Sequence, residues 1–174
     1  ESLAQTSHSV NSPERAPIVF LTDPDQGEMH HSGMRVEYGD LVVYSKAATH
    51  YRWTTGATRW GAMSLTHADL AAAGRALIGR DLEVPSATHR IRPSAPLTQR
   101  LMNLHRAAGD LGRNAPDVLS NPEVARSLEH ELVSTMVACL NEGTSLEVRP
   151  AERQHRSIVA RFEELLAANR DKPL

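Results

Sequence analysis

The sequence predicts an α+β protein in which an antiparallel β-barrel or β-sandwich comes first and an α-helical segment follows. Residues 17–65 contain short β-rich runs separated by turn residues. From about Thr66 onward, apolar residues recur with the 3.6-residue period of a helix. The 174 residues, 40% of them hydrophobic, can bury a core as one domain or as a small domain with a helical appendage.

Four runs in the first half predict strands, at residues 18–21, 41–44, 49–54 and 60–65. The polar cluster 23–27 predicts a turn after the first run, and residues 31–34 predict a second reversal. Residues 87–92 predict one more strand, whose partner the sequence does not identify.

Capping residues predict where the helices begin and end. The predicted helices span residues 66–79, 94–112 and 121–143, and a last one begins near residue 150. Thr66 and Asn121 can each accept a hydrogen bond from the first turn, and Pro122 suits the first helical position. Gly79 and Gly143 occupy the usual C-terminal position.

The composition excludes several classes of protein. A formal net charge of −2 and a pI near 6.5 provide no large positive field, so we expect this chain alone to bind DNA poorly. The single Cys139 excludes an internal disulfide and a multi-cysteine metal site, and its apolar neighbours predict an inert buried thiol. This cysteine usage fits a reducing cytoplasm, the compartment that we expect.

No membrane partner is expected either. Apolar stretches such as residues 68–78 contain charges and are shorter than the roughly 18 residues that a span needs. No signal peptide is evident. The chain begins at Glu1 rather than Met, and the sequence leaves open whether earlier strands are missing.

The candidate ligand-binding residues are His50, Tyr51, Trp53 and Trp60, because aromatic walls with a few polar groups are typical of small-molecule sites. The sequence leaves two alternatives open. Both tryptophans could be ordinary core residues. His50 could be a hydrogen-bonded residue at a barrel mouth or a metal ligand.

No catalytic or cofactor motif is present. The sequence contains no nucleophile elbow, phosphate-binding loop or dinucleotide fingerprint. Its nine histidines invite a metal interpretation, but the adjacent His30 and His31 would point to opposite faces of a strand. We therefore expect no metal, no cofactor and no enzymatic activity.

The predicted helix 121–143 has a wide apolar stripe that can pack on the β-domain or on a second copy of the chain. The candidate dimerisation residues are Leu128, Leu132, Met136 and Leu140. The sequence does not divide the stripe between these two uses.

Residues 39–50 resemble the second motif of the cupin superfamily, which is a Gly-Asp turn, an apolar strand and a histidine that enters the next strand. Gly39, Asp40 and His50 match it, whereas Lys46 and Ala47 stand where proline is expected. The first, metal-binding motif has no counterpart. Asp40 and Gly39 also suit a tight turn in any β-protein.

Two further stretches resemble AraC-type transcription regulators. Residues 60–65 and 70–77 resemble the passage from sheet to helix in their effector domains, and residues 155–169 resemble the helix that opens their DNA-binding domain. The helix-turn-helix domain itself has no counterpart in this chain, so no base-reading residue is carried over.

This resemblance implies a cupin-like sensory β-domain over residues 1–92, a helical dimerisation region over 93–148 and a linker helix over 149–174. It implies a small-molecule effector, a homodimer, and DNA binding through a C-terminal domain that this chain lacks. Two other interpretations remain open: a metal-dependent cupin-type enzyme, suggested by His50, and an interaction protein that uses the stripe of residues 121–142.

Overall fold

The computed structural model describes residues 5–46 and 49–146, together with residues 157, 158, 161 and 165. The strands are β1 Gln5–Val10, β2 Arg15–Leu21, β3 Met29–His31, β4 Met34–Val36, β5 Leu41–Val43, β6 Thr49–Thr54, β7 Trp60–Thr66, β8 His89–Arg92 and β9 Thr144–Ser145. The helices are α1 His67–Ile78, α2 Ala95–Asn114, α3 Pro116–Leu119 and α4 Pro122–Glu142.

The strands form two antiparallel sheets. The outer sheet has the order β1-β6-β3-β4, and the central sheet has the order β7-β2-β5-β8-β9. Within the described residues the sheets face each other as a sandwich and do not close into a barrel. The predicted α+β fold class is confirmed, in its sandwich form.

Strands β2 and β5 of the central sheet are buried on both faces, so the molecule has three layers at this point. In β2, Ile18 and Phe20 join a core cluster with residues of α1, α2 and α4, while Val19 and Leu21 join a second cluster with the outer sheet. Alternate side chains of a strand point to opposite faces, so a continuous apolar run is needed where both faces are covered.

The predicted helix boundaries agree closely with the structure. The Thr66 side chain accepts a hydrogen bond from the Asp69 amide, and Gly79 ends α1 in the left-handed conformation at φ 73°. The Asn121 side chain accepts one from the Glu123 amide at 2.9 Å, and α4 ends at Glu142. These local signals are sufficient because a cap involves only neighbouring residues.

Helix α2 continues two residues beyond the predicted end at Gly112. It ends at Asn114 because Ala115 precedes a proline, and a residue in that position is displaced from helical geometry. Ala115 accordingly has φ −147° and ψ 58°, and Pro116 begins the short α3, which the sequence did not predict.

Strands β1, β3, β4 and β9 were also not predicted as strands. The strand expected at residues 87–92 is β8, and its partners are β5 and β9. The reversal expected at residues 31–34 is the β3–β4 turn, in which Ser32 and Gly33 both have positive φ.

Gly39 and Asp40, the residues that resemble a cupin motif, lie in a turn. Asp40 also takes part in a buried ion pair. Gly39 has φ 96°, and the fully buried Asp40 carboxylate accepts hydrogen bonds from the Glu37 amide at 2.9 Å and from Arg92 at 2.7 Å. Arg90, itself buried, lies 3.5 Å from the same carboxylate. Gly39 and Asp40 therefore have a structural role.

Cys139, a residue of α4, is completely buried in the core, as predicted. Burial raises the pKa of its thiol to about 11, with a smaller contribution from Glu142, so the thiol stays protonated at neutral pH.

The last predicted helix and the 149–174 linker lie outside the described residues, apart from positions 157, 158, 161 and 165. Across the described part of the chain, no helix combines the length and apolarity needed to cross a bilayer. The proposed division into regions 1–92, 93–148 and 149–174 stays a prediction.

Candidate ligand-binding cavity

A cavity of about 200 Å³ lies between the two sheets, where β1 and β6 face β2 and β7. Residues from both sheets line it. They are Ser7, Ser9, Asn11, Pro17, Val19, His31, Tyr44, His50, Arg52, Trp60 and Ala62. We call it the intersheet cavity.

Strand alternation decides which residues of β6 reach the cavity. His50 and Arg52 line it, whereas Tyr51 and Trp53, one position out of phase, do not. Tyr51 instead packs against His8, with ring centroids 4.7 Å apart. Trp53 is 39% exposed, and its ring stacks on that of His30 at 4.2 Å.

The structure therefore brings two of the four predicted ligand-binding residues, His50 and Trp60, to one cavity and places Tyr51 and Trp53 elsewhere. A ligand role for any of these residues stays a prediction. His30 and His31 do point to opposite faces of β3, since His31 is 1% exposed beside the cavity while His30 contacts Trp53.

Three rings meet at the inner end of the cavity. The ring centroid of Tyr44 lies 4.7 Å from that of His31 and 4.6 Å from that of His50, and the two histidine rings lie 5.1 Å apart. The Tyr44 hydroxyl lies 3.2 Å from Nδ1 of His31, and the Ser9 hydroxyl lies 2.7 Å from Nε2 of His50. Burial raises the pKa of Tyr44, so its hydroxyl stays protonated.

These groups form a hydrogen-bonded wall of the cavity. Within the described ranges, no group of three or more His, Cys, Asp or Glu side chains is arranged to hold a metal ion.

Arg52 and Trp60 form the other side of the cavity. The Arg52 guanidinium carbon lies 4.4 Å from the centre of the Trp60 ring, a cation–π arrangement. Among the described residues, no carboxylate forms an ion pair with Arg52. The cavity therefore contains a positive charge that is available to a bound molecule.

Asn11 adds a further donor. Its Nδ2 atom is buried and has no hydrogen-bond partner within the described part of the chain. A buried amide without a partner costs free energy, which an acceptor on a bound molecule would recover.

Sequence reasoning missed His31, Tyr44 and Arg52. Arg52 could have been found, because the alternation that selects His50 also selects position 52 and rejects positions 51 and 53. His31 and Tyr44 could not, since their convergence depends on strand pairing between distant segments.

The four candidate dimerisation residues divide into two pairs. Met136 is 1% exposed and lies in the core beneath the central sheet, and Leu140 packs against that core. Leu128 and Leu132, nearer the start of α4, are half-buried. Their use in a dimer stays a prediction.

Comparison with known proteins gives few matches. No protein-family model matches the sequence, and no curated protein sequence matches it. Among solved structures, the chain is similar to the crystal structure of the AraC-like transcriptional activator CuxR, with 16% sequence identity and a TM-score of 0.49. The match covers 92% of this chain and 58% of that one, so the chain spans less than two thirds of that protein's length. Similarity at this level of identity and TM-score leaves the ligand, partners and activity of this chain to be inferred from its own residues.

Proposed function

We propose that this chain is the effector-sensing portion of an AraC-type transcription regulator and that the intersheet cavity is its effector site. The observation that carries the proposal is the convergence of polar side chains from both sheets on one cavity. Residues 155–169 support it from the sequence, through their resemblance to the helix that opens the DNA-binding domain.

The cavity chemistry favours a small planar acid. A volume of about 200 Å³ is below the usual range for drug-sized ligands, so the effector is small. The charge of Arg52, which has no ion-pair partner among the described residues, favours a carboxylate, and the Trp60 ring favours a planar body.

The order of the layers would allow ligand binding in the cavity to affect helices α2 and α4. The cavity lies on one face of the central sheet, and α2 and α4 pack on the other face. A ligand that binds more tightly to one spacing of the sheets shifts the population toward it, and that shift reaches the helices through the same strands.

Ligand binding is tested with benzoate and salicylate in thermal-shift and calorimetric titrations, with benzyl alcohol as the neutral comparison. We expect the acids to stabilise the protein and the substitution Arg52→Gln to weaken their binding about tenfold. Arg126→Gln, at an exposed position on α4, is the matched control and should bind normally. Equal weakening of acid binding in both variants would show that the acids do not bind in the intersheet cavity.

Regulation is tested on the protein encoded by the coding sequence extended past Leu174. We expect a helix-turn-helix domain in the extension and specific, salt-sensitive binding to its own upstream DNA. An extension that does not bind DNA would reject the regulator while leaving the ligand measurement unaffected.

A homodimer is part of the proposal, with the exposed parts of Leu128 and Leu132 at its interface. The double substitution Leu128→Glu/Leu132→Glu should give a monomer by light scattering, because two carboxylates oppose two more across a twofold axis. An unchanged mass would place the interface elsewhere.

A further inference from the structure

A second cavity, of about 580 Å³, lies between helix α2 and the segments that flank β2 and β7. We call it the α2 cleft. Its ionisable and aromatic lining consists of Asp23, Arg59, Trp60, His105, Arg106 and Arg113.

The α2 cleft is positively charged in a chain that is not. Its lining has three guanidinium groups and one carboxylate, a formal charge of +2, whereas the whole chain has a net charge of −2. Field lines concentrate in a concave site with charges of one sign, so the cleft attracts anions.

The arginines of the cleft are incompletely neutralised. Arg59 lies 3.4 Å from Asp23 but is 81% exposed, so the pair is weak in water. Arg113 bonds to Asp110 at 2.7 Å, a carboxylate one helical turn away that does not line the cleft. Within the described residues, Arg106 forms no ion pair.

The absence of a side chain at Gly109 allows the Arg113 guanidinium to lie against the helix. A Cβ built at position 109 would lie 3.2 Å from Nη1 of Arg113, so the guanidinium rests on the glycine backbone. Glycine weakens a helix interior, and here its small size keeps a cationic group within the cleft.

We propose that the α2 cleft binds a small organic polyanion through its phosphate or carboxylate groups. Arg106 and Arg113, two helical turns apart on α2, bind the charged groups, because guanidinium forks match the oxygen geometry of both anions. The Trp60 ring borders the cleft and contacts the organic part of the ligand.

This site is separate from the intersheet cavity, although Trp60 borders both. The shared ring allows one fluorophore to report on either site. Trp53→Phe leaves Trp60 as the only tryptophan, since the chain has two, and Trp53 lines neither cavity.

The first experiment titrates the Trp53→Phe protein with pyrophosphate and with citrate at constant ionic strength, and follows the Trp60 fluorescence. We expect a saturable change with a Kd below about 1 mM for at least one of them. Pyrophosphate binding alone would identify phosphate as the preferred group, and citrate binding alone would identify carboxylate.

The variants locate the site. Arg106→Gln/Arg113→Gln should weaken binding about tenfold or more, and Arg126→Gln, which removes an exposed α4 arginine outside the cleft, should leave it unchanged. Gly109→Ala should raise the melting temperature and weaken anion binding, since the new Cβ stabilises the helix and displaces Arg113.

Three results would overturn the proposal. They are a fluorescence change no greater than that caused by chloride, an equal loss of binding in Arg126→Gln, and binding of a short DNA duplex by the cleft where pyrophosphate and citrate fail. None bears on the benzoate and salicylate titrations of the intersheet cavity, which depend on Arg52.

Discussion

Asp40 is a completely buried carboxylate that connects its own turn to strand β8. Its partners are the Glu37 amide in the same turn and two arginines of β8, Arg90 and Arg92. Burial raises the pKa of Asp40, and the hydrogen bonds from Glu37 and Arg92 oppose that rise. The buried charges of Asp40 and Arg90 are therefore stable in the core only when both are present.

The substitution Asp40→Asn should lower the free energy of unfolding by about 3 kcal/mol, because it leaves the buried Arg90 without a counter-charge. Urea unfolding measures it. Asp81→Asn, which breaks the exposed ion pair with Arg75 at 2.7 Å, should cost less than about 1 kcal/mol. Equal losses in the two variants would contradict the role of burial.

His105 should make stability depend on pH. Burial against Phe20 and Gly61 lowers the pKa of His105, so the folded protein binds a proton less readily than the unfolded chain. The contribution of neutral His105 to the free energy of unfolding is complete when the pH is above the pKa of this histidine in the unfolded chain. It is lost as the pH falls toward the lower pKa of His105 in the folded protein. The charged groups that line the α2 cleft together with His105 are Asp23, Arg59, Arg106 and Arg113.

Thermal unfolding at about pH 7.5 and about pH 5.5 tests this dependence. His105→Gln should reduce the loss of melting temperature on acidification, whereas His130→Gln, exposed on α4, should reproduce the parent protein. A His105→Gln protein as acid-sensitive as its parent would assign the dependence to other groups.

At the scale of the elements, Gly74 sets how closely helix α1 approaches the loop that follows it. A Cβ at position 74 would lie 2.6 Å from the carbonyl oxygen of Arg80 and 2.7 Å from the amide nitrogen of Leu82. Both contacts are with backbone, which cannot rotate away as a flexible side chain can.

Gly74→Ala should therefore lower the free energy of unfolding by about 1–3 kcal/mol despite the better helix propensity of alanine. Gly112→Ala on α2, where the nearest atom is 3.9 Å away, should raise it by up to about 1 kcal/mol. Chemical denaturation of the two variants would show opposite signs, and a shared sign would refute the close approach.

The elements that could be predicted are those with local signals. Thr66, Gly79 and Asn121 fix helix boundaries through contacts with near neighbours. Strand β1 contains one large apolar residue, Val10, and is almost wholly exposed, so no apolar alternation marks it. Strands β3 and β4 have three residues each, too few for a period to be recognised.

The candidate site shows the same division. His50 and Trp60 were predicted from their chemistry in strand-like runs, and both line the intersheet cavity. Apart from Arg52 and Ala62, which are near neighbours of these two residues, its remaining walls come from β1, β2, β3 and residues 11 and 44. These segments meet through long-range pairing. No pattern within a window of the sequence contains that information.

For the whole molecule, three layers imply an uneven distribution of stability. Strands β2 and β5 are covered on both faces, whereas β1, within the described part of the chain, is an exposed edge strand paired only with β6. Opening β2 requires separation of both interfaces, and opening β1 requires neither.

Hydrogen exchange should therefore be slowest at Val19, Phe20 and Val42, at rates set by global unfolding, and faster by orders of magnitude in β1. Exchange followed by mass spectrometry or NMR measures this. Comparable protection of β1 and β2 would mean that the sandwich opens as one unit.

The β3–β4 hairpin, with its two-residue turn at Ser32 and Gly33, should not tolerate insertions or deletions. Inserting or deleting one residue in β3 would exchange the faces of His30 and His31, so the imidazole beside Tyr44 would move to the surface. Surface loops such as residues 55–59 can change length without that effect. Across descendants of this sequence, we expect length variation to accumulate in such loops and to be absent from the β3–β4 hairpin.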